Sequence, residues 1–152
     1  MSGKFQYSRY ERLGNPSGSD APSTVSIRSE QTGLKLTDLS WAGGLLDGEG
    51  CFRASTSPTI SVESTSKNTV ERLYELFEGT CSAEKRRTAS GRQVFRWRVY
   101  GKNAVKVCDS VLPYLVEKQK QAELLILFYR YPKRSAMRRS ISRRLSKLKR
   151  TV

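Results

Sequence analysis

A run of small residues inside an apolar segment is the strongest constraint on how this chain can fold. Residues 39–50 read LSWAGGLLDGEG, the pattern of an apolar helix that ends in a glycine-containing turn. Ala42, Gly43 and Gly44 leave one helix face almost without side chains, so a second helix can approach it closely. Because the sequence contains this segment only once, the simplest closed arrangement pairs two copies of the chain about a two-fold axis.

The carboxyl end of this helix carries two acidic side chains. Asp47 and Glu49 alternate there with Gly48 and Gly50. Acids are disfavoured at this end of a helix, which has a partial negative charge. We therefore expect another group to compensate them.

Helix and strand patterns alternate along the following chain. Thr37 and Asp38 are candidate N-caps of the first helix, and Ser66 is a candidate N-cap of the second. The predicted elements are a helix over about 39–50, strands over 51–56 and 59–65, a helix over 66–79, strands over 81–87 and 92–100, a helix that runs to Pro113 and a helix over about 114–131. This order, αββαββαα, predicts an α+β fold.

The chain is strongly basic. It has 28 Lys and Arg residues, 14 Asp and Glu residues and no histidine, so its net charge of +14 persists near neutral pH. A polyanion is the expected partner. The lack of histidine also excludes the HNH and His-Cys classes of nuclease, and the sequence has no Gly-rich phosphate loop.

Side chains in both strand pairs alternate between an apolar inner face and a polar outer face. Phe52, Ile60 and Trp97 are among the residues expected on the inner face. A two-stranded ribbon fits the major groove of DNA, where its outer side chains reach base edges. The predicted DNA contacts are Arg53, Ser55, Thr59, Ser61, Glu63, Glu84, Arg86, Arg96 and Arg98.

The two ends of the chain differ in composition from the middle. Residues 1–33 are rich in Ser, Gly, Pro and charge and are predicted to form a flexible arm, before a folded domain over 34–132. Residues 133–152 contain nine basic residues and no acid, which leaves a charge of +5 on residues 1–132. This last segment is predicted to be a basic amphipathic helix or tail, with apolar side chains at Met137, Ile141, Leu145, Leu148 and Val152.

The cysteines and the apolar runs bear on the compartment. Cys51, Cys81 and Cys108 form no CxxC pair and lie in apolar patterns, which predicts reduced, buried thiols. The sequence shows no apolar signal core and no run long enough to span a bilayer. We expect an intracellular protein that is not secreted, lies with its target DNA in cytoplasm, nucleoid or organelle, and contacts no membrane.

The stretch AGGLLDGEG at residues 42–50 resembles the LAGLIDADG signature of homing endonucleases. The αββαββα core of that family matches the predicted order over roughly residues 36–131, and the KQKQAE run at 118–123 resembles the start of the last core helix in single-motif members. The resemblance implies a homodimer that cuts double-stranded DNA at a long, nearly palindromic site, leaves 3′ overhangs and serves in intron homing. It also implies Mg²⁺ as the cofactor, for which Mn²⁺ can substitute.

The resemblance also assigns roles to residues. Glu49 and the backbone carbonyl of Gly48 would bind the metal, whereas Asp47 would serve in turn formation and hydrogen bonding. Lys118 would lie near the scissile phosphate, and Ser64 would organise water in the active site. The dimer interface would consist of Trp41, Ala42, Gly43, Gly44 and Leu45.

Two alternatives use the same scaffold. An RNA-binding maturase would place folded RNA on the basic face without needing a metal at Glu49, and a DNA-binding module would bind DNA without catalysis. The basic C-terminal segment has its own alternatives, which are the phosphate backbone, an anionic membrane surface and docking on the core or a partner. Its apolar stripe favours docking.

Overall fold

The computed structural model describes residues 33–151 of the chain. The arm predicted over 1–33 lies outside these residues, except for Gly33. The described elements are α1 (Leu36–Glu49), β1 (Gly50–Ala54), β2 (Pro58–Ser64), α2 (Lys67–Phe77), β3 (Thr80–Arg87), β4 (Gln93–Tyr100), α3 (Gly101–Val111), a 3-10 turn (Leu112–Tyr114), α4 (Gln119–Arg130) and α5 (Ala136–Arg150). The α+β class and the order αββαββαα are confirmed, and α5 follows them.

The four strands form one antiparallel sheet in the order β1-β2-β4-β3. The side chains on its inner face are those that the sequence predicted. Phe52 pairs with Ile60, and Val62 pairs with Trp97; all four side chains are buried. The indole Nε1 of Trp97 donates a hydrogen bond to the Glu78 carbonyl at 2.7 Å, so the largest core side chain also satisfies its polar atom.

The ends of α1 differ from the sequence prediction. Helix α1 begins at Leu36, so Thr37 and Asp38 lie inside it and neither is its N-cap. The N-cap is Lys35, whose side chain makes no capping hydrogen bond. Asp38 instead lies in the first turn, where it accepts a hydrogen bond from Arg72 at 2.5 Å. The prediction of a glycine turn at the other end was also wrong, since α1 continues through Glu49 and passes directly into β1 at Gly50.

The last core helix starts five residues later than predicted, at Gln119 rather than Tyr114. Pro113 lies in the 3-10 turn, and the segment that follows it is not helical. Backbone amides of residues 116–118 are used in hydrogen bonds to Asp47. This contact, made with a distant part of the chain, holds the segment out of the helix.

Helix α5 packs against the domain rather than extending from it. Ile141 and Leu145 are buried in the core, which confirms the expected docking for the middle of the apolar stripe, whereas Met137 is exposed and Val152 lies outside the described residues. Ser135 caps the helix by accepting a hydrogen bond from the Arg138 amide at 3.2 Å. Arg138 is itself buried, lies 4.6 Å from the centre of the Phe128 ring and donates to the Phe128 carbonyl at 3.0 Å.

The cysteines only partly follow the prediction. All three thiols are free, and Cys81 and Cys108 are buried. Burial raises the pKa of the Cys108 thiol, which keeps it protonated and unreactive. Cys51 is only half-buried, because it shares the outward phase of β1 with Arg53. No helix within residues 33–151 is long and apolar enough to cross a membrane.

The small residues of α1 do not all have the role predicted for them. Ala42 and Gly43 were predicted at the dimer interface, but both are buried inside the protomer. A methyl group on Gly43 would lie 2.4 Å from Cβ of Tyr114 in the 3-10 turn. A methyl group on Gly44 would meet no atom within 4 Å. The small side chains at 42 and 43 therefore serve packing within one chain.

We predict that Gly43→Ala destabilises the protomer by about 1–3 kcal/mol, the usual cost of overpacking a core, despite alanine's better helix propensity. The free energy of unfolding, measured in urea, checks this. Ser140→Ala, at an exposed position of α5, is the control and should leave the unfolding midpoint almost unchanged. An unchanged midpoint for Gly43→Ala would show that Tyr114 moves away at little cost.

Candidate functional site

A polar cleft of about 360 Å³ lies where the end of α1 meets the outer face of the sheet. Glu49 comes from α1, and the other side chains project from β1, β2 and β4 because they share the outward phase of their strands. The lining residues are Glu49, Cys51, Arg53, Ser61, Glu63, Arg96 and Arg98. The structure therefore brings the predicted metal ligand together with much of the predicted DNA-contacting set.

The end of α1 is held by Lys118, which arrives from the start of α4. Its ammonium donates to the carbonyls of Gly48 and Gly50, both at 2.9 Å, and to that of Leu46 at 3.4 Å. A cation at this position compensates the negative end of the helix. Burial lowers the pKa of Lys118, although the charges of Asp47 and Glu49 oppose that shift.

Asp47 makes the reciprocal contact. Its carboxylate accepts hydrogen bonds from the backbone amides of Val116 at 3.2 Å, Glu117 at 3.1 Å and Lys118 at 2.8 Å. Burial opposes ionisation of this carboxyl, but the three amides and the charge of Lys118 outweigh it, so the pKa of Asp47 is lowered. The hydrogen-bonding role expected for Asp47 is confirmed.

Glu49 is exposed, and within residues 33–151 no hydrogen bond or ion pair occupies its carboxylate. The Gly48 carbonyl already accepts from Lys118, but a carbonyl oxygen has a second lone pair. No cluster of three or more metal-ligating side chains occurs in the described part of the chain. This donor set fits a Mg²⁺ ion that is also bound by phosphate and water, which is how Mg²⁺ is usually held. It does not form a closed cage of protein ligands.

Two acids hold two of the predicted arginines on the outer face. Glu63 accepts from both Arg96 and Arg86, and Arg96 also lies 3.3 Å from Glu84. The hydrogen bonds from Arg96, and then those from Arg86, lower the pKa of Glu63. These contacts confirm the outward phase predicted for Glu84 and Arg86 on β3.

Arg53 and Arg98 have no acidic partner within residues 33–151. Arg98 donates to the Tyr100 hydroxyl at 3.0 Å and lies 5.8 Å from the centre of its ring. These two guanidinium groups are the cleft cations best placed to bind an anion, since no carboxylate has to be displaced first.

Ser55, Thr59 and Ser64 were also predicted as site residues, but they do not line the cleft. Ser55 is exposed in the turn after β1, and Thr59 is on the outer face, where its hydroxyl donates to the Ser57 carbonyl at 3.3 Å. Ser64 was predicted to organise water, but it shares the inward phase of Val62, and its hydroxyl accepts from the Ser66 amide at 3.0 Å. That local turn contact does not support the predicted role.

Sequence reasoning missed two residues at the cleft, which are the lining residue Cys51 and Lys149, which contacts it. Cys51 was expected to be buried, although its alternation with Phe52 already indicated the outer face. Lys149 comes from α5, and its ammonium lies 3.6 Å from Sγ of Cys51, 98 positions away in sequence. Nothing local in the sequence indicates that contact.

The solved structures that are similar to this chain include two of a homing endonuclease bound to DNA. One is the homing endonuclease I-CvuI in complex with the I-CreI target in the presence of Mg, with the DNA not cleaved. The TM-score is 0.60 at 19% identity, over 75% of this chain and 85% of that one. The other is I-CvuI in complex with its target in the presence of Ca. The TM-score is 0.53 at 18% identity, over 76% of this chain and 98% of that one.

These likenesses establish the fold. The chain has the LAGLIDADG homing-endonuclease fold, as the motif and the element order predicted, and the family resemblance is supported at that level. No protein-family profile matches the chain. No curated protein matches it either.

We predict that Asp47→Asn lowers the free energy of unfolding by about 1.5–3 kcal/mol at pH 7, the range for hydrogen bonds to a charged group. Because the folded-state pKa of Asp47 is lowered, its contribution is present above the unfolded-state pKa of about 3.9 and is lost as pH falls through the folded-state pKa. The difference between the two proteins should shrink below about pH 4.

Urea unfolding at pH 7 and at about pH 3 measures this difference. Asp109→Asn removes the same charge from an exposed position of α3 and is the control, with little expected change at either pH. Equal stability of Asp47→Asn and the wild type at pH 7 would contradict the role of Asp47 as a hydrogen-bond acceptor.

Proposed function

We propose that this chain is a site-specific, metal-dependent DNA endonuclease that acts as a homodimer. The observation that carries the proposal is the cleft in which the carboxylate of Glu49 adjoins Arg53 and Arg98, none of which has an ion-pair partner among residues 33–151. A carboxylate next to cations on an outward sheet face suits a phosphodiester bound through a divalent ion. The two similar structures support DNA as the partner, since each is described as a homing endonuclease in complex with a DNA target.

Glu49 and the Gly48 carbonyl would hold Mg²⁺ or Mn²⁺, which when bound activates water and stabilises charge on phosphate oxygens. The side chains of the chain itself supply the rest. Arg53 and Arg98 would bind and orient the DNA backbone or a guanine edge. Lys118 stays fixed by the carbonyls at the end of α1, where its charge would offset negative charge that develops on the phosphate.

The homodimer follows from the incomplete site and from an open helix face. Paired metal sites can stabilise both the attacking and the leaving oxygens of a phosphodiester. At the end of α1, one chain offers a single free carboxylate, that of Glu49, so a second chain would supply the other. Ser40, Gly44 and Gly48 are exposed and lie four residues apart along α1, where neither glycine has a protein atom near its missing Cβ. We propose this stripe, flanked by half-buried Trp41 and Leu45, as the contact between protomers.

A two-fold dimer of this kind would place the two Glu49 side chains on either side of the axis and read a long, nearly palindromic site. The same proposal includes cleavage that leaves 3′ overhangs, a role in intron homing and a location inside the cell with the target DNA. The near-palindromic site, the overhangs, the homing role and the location rest on the resemblance to homing endonucleases together with the residues of the cleft.

Glu49→Gln tests the activity. We expect Mg²⁺-dependent cleavage in a library of genomic and randomised fragments to fall by about 100-fold or more, the scale of losing one electrostatic stabiliser. Duplex binding should persist, because Arg53 and Arg98 remain. Sequencing of the DNA ends, with Mg²⁺ and with EDTA, provides the measurement.

The matched control is Glu75→Gln, which removes the same charge from an exposed position of α2 and should cleave like the wild type. Cleavage that survives EDTA or the Glu49 substitution would refute the proposed chemistry. Duplex binding without cleavage by the wild type would indicate a scaffold kept for DNA binding. Preference for structured RNA over duplex DNA would favour the maturase alternative.

Gly44→Leu tests the assembly. Gly44 is exposed and an added Cβ meets no protein atom within 4 Å, so folding should persist, but the leucine would hold two α1 helices apart. We expect sedimentation equilibrium to show a dimer for the wild type and a monomer for the variant. Ser140→Leu, which adds the same side chain to an exposed position of α5, should remain dimeric. A Gly44→Leu dimer of unchanged affinity would place the interface elsewhere.

A further inference from the structure

Helix α5 lies along a free edge of the sheet. β1 is an edge strand in the order β1-β2-β4-β3. The Ser142 hydroxyl donates to the Ala54 carbonyl at 2.5 Å, and the Lys149 ammonium reaches Sγ of Cys51 at 3.6 Å. From Ser142 to Lys149 the helix rises about 10.5 Å, and from Cys51 to Ala54 the strand rises about 10 Å. The two contacts therefore fit a helix that runs antiparallel to β1 over most of the strand.

The apolar side of α5 is already used. Ile141 and Leu145 are buried in the core, and Leu148 packs against it. At about 100° per residue, Arg139, Arg143 and Arg150 lie on the opposite side of the helix, and all three are exposed. We call these three residues the arginine ridge. Because the ridge contains no large apolar side chain, it is a poor match for membrane insertion or for an apolar partner.

Helix α5 reaches the edge of the cleft through Lys149. Lys149, which lies between the buried stripe and the ridge around the helix, contacts Cys51, a cleft residue on the outward phase of β1. A duplex lying across the outer face of the sheet would therefore meet α5 at the β1 edge. The ridge spans about 16 Å, which corresponds to about five phosphates of one DNA strand.

The charges of the ridge are available. Helix α5 contains no acidic residue, and no carboxylate within residues 33–151 pairs with the three arginines. Arg139 donates to the Arg134 carbonyl at 2.8 Å, which leaves its charge uncompensated. On the outer face of the sheet, by contrast, Arg86 and Arg96 are both held by Glu63.

We propose that the arginine ridge binds the phosphate backbone of duplex DNA and supplies sequence-independent affinity beyond the cleft. This inference rests on the DNA binding in the proposed function but not on cleavage. Contacts to phosphate position a protein on the duplex and make its affinity depend on salt, while base specificity remains with the strands.

The test compares two triple variants of equal charge. The ridge variant is Arg139→Gln, Arg143→Gln and Arg150→Gln. The control variant is Lys133→Gln, Arg144→Gln and Lys147→Gln; its Arg144 and Lys147 line a separate groove of about 670 Å³ between α4 and α5. Circular dichroism checks that both variants fold. Fluorescence anisotropy then gives the affinity for a random-sequence duplex between about 50 and 200 mM salt.

For each lost phosphate contact, the slope of log affinity against log salt should become shallower by about 0.9, or by up to about 2.7 for three. The control variant should keep a slope close to that of the wild type. Equal slopes for the two variants would overturn the proposal while leaving the proposed function intact.

Other outcomes separate the two claims. A wild-type protein that binds no duplex would overturn both claims. A ridge effect in a protein that binds but does not cleave would uphold the ridge and refute the nuclease. A ridge effect seen only with a structured RNA of matched length would overturn the assignment to duplex DNA.

Discussion

The paired contacts of Asp47 and Lys118 determine the geometry of the site. At one junction a carboxylate accepts from backbone amides and an ammonium donates to backbone carbonyls. Both unfavourable charges are thereby compensated, the acid at the negative end of α1 and the cation partly removed from water. Since α1 passes directly into β1, fixing the end of the helix also fixes Glu49 relative to the outer face of the sheet.

The outer face is less cationic than its arginine content suggests. Glu63 and Glu84 hold Arg96, and Glu63 also holds Arg86. Such pairs position guanidinium groups, but they reduce the charge that a phosphate would encounter. Free positive charge is left on Arg53 and Arg98 and on α5, which covers the open edge of β1. Under the proposals made above, α5 would therefore add charge for the DNA backbone apart from the strands that would read bases.

The neighbouring glycines of α1 have different roles. Gly43 faces the 3-10 turn of its own chain, whereas Gly44 faces outward with free space around it. Adjacent residues on a helix point about 100° apart, so a continuous run of small residues covers more than one face. One face closes the protomer, and the other remains open for a second helix. This division explains why the predicted interface included two residues that belong to the core.

The sequence by itself determined the local features: the α+β order, the strand phases that put Phe52 inside and Arg53 outside, and the motif that contains Glu49. These follow from periodicity and turn chemistry within a few residues. Only the tertiary structure decided that Gly43 is buried and that α4 begins at Gln119. Periodicity defines a face but not what covers it, and the contacts of Asp47 with Lys118 and of Cys51 with Lys149 join residues 71 and 98 positions apart.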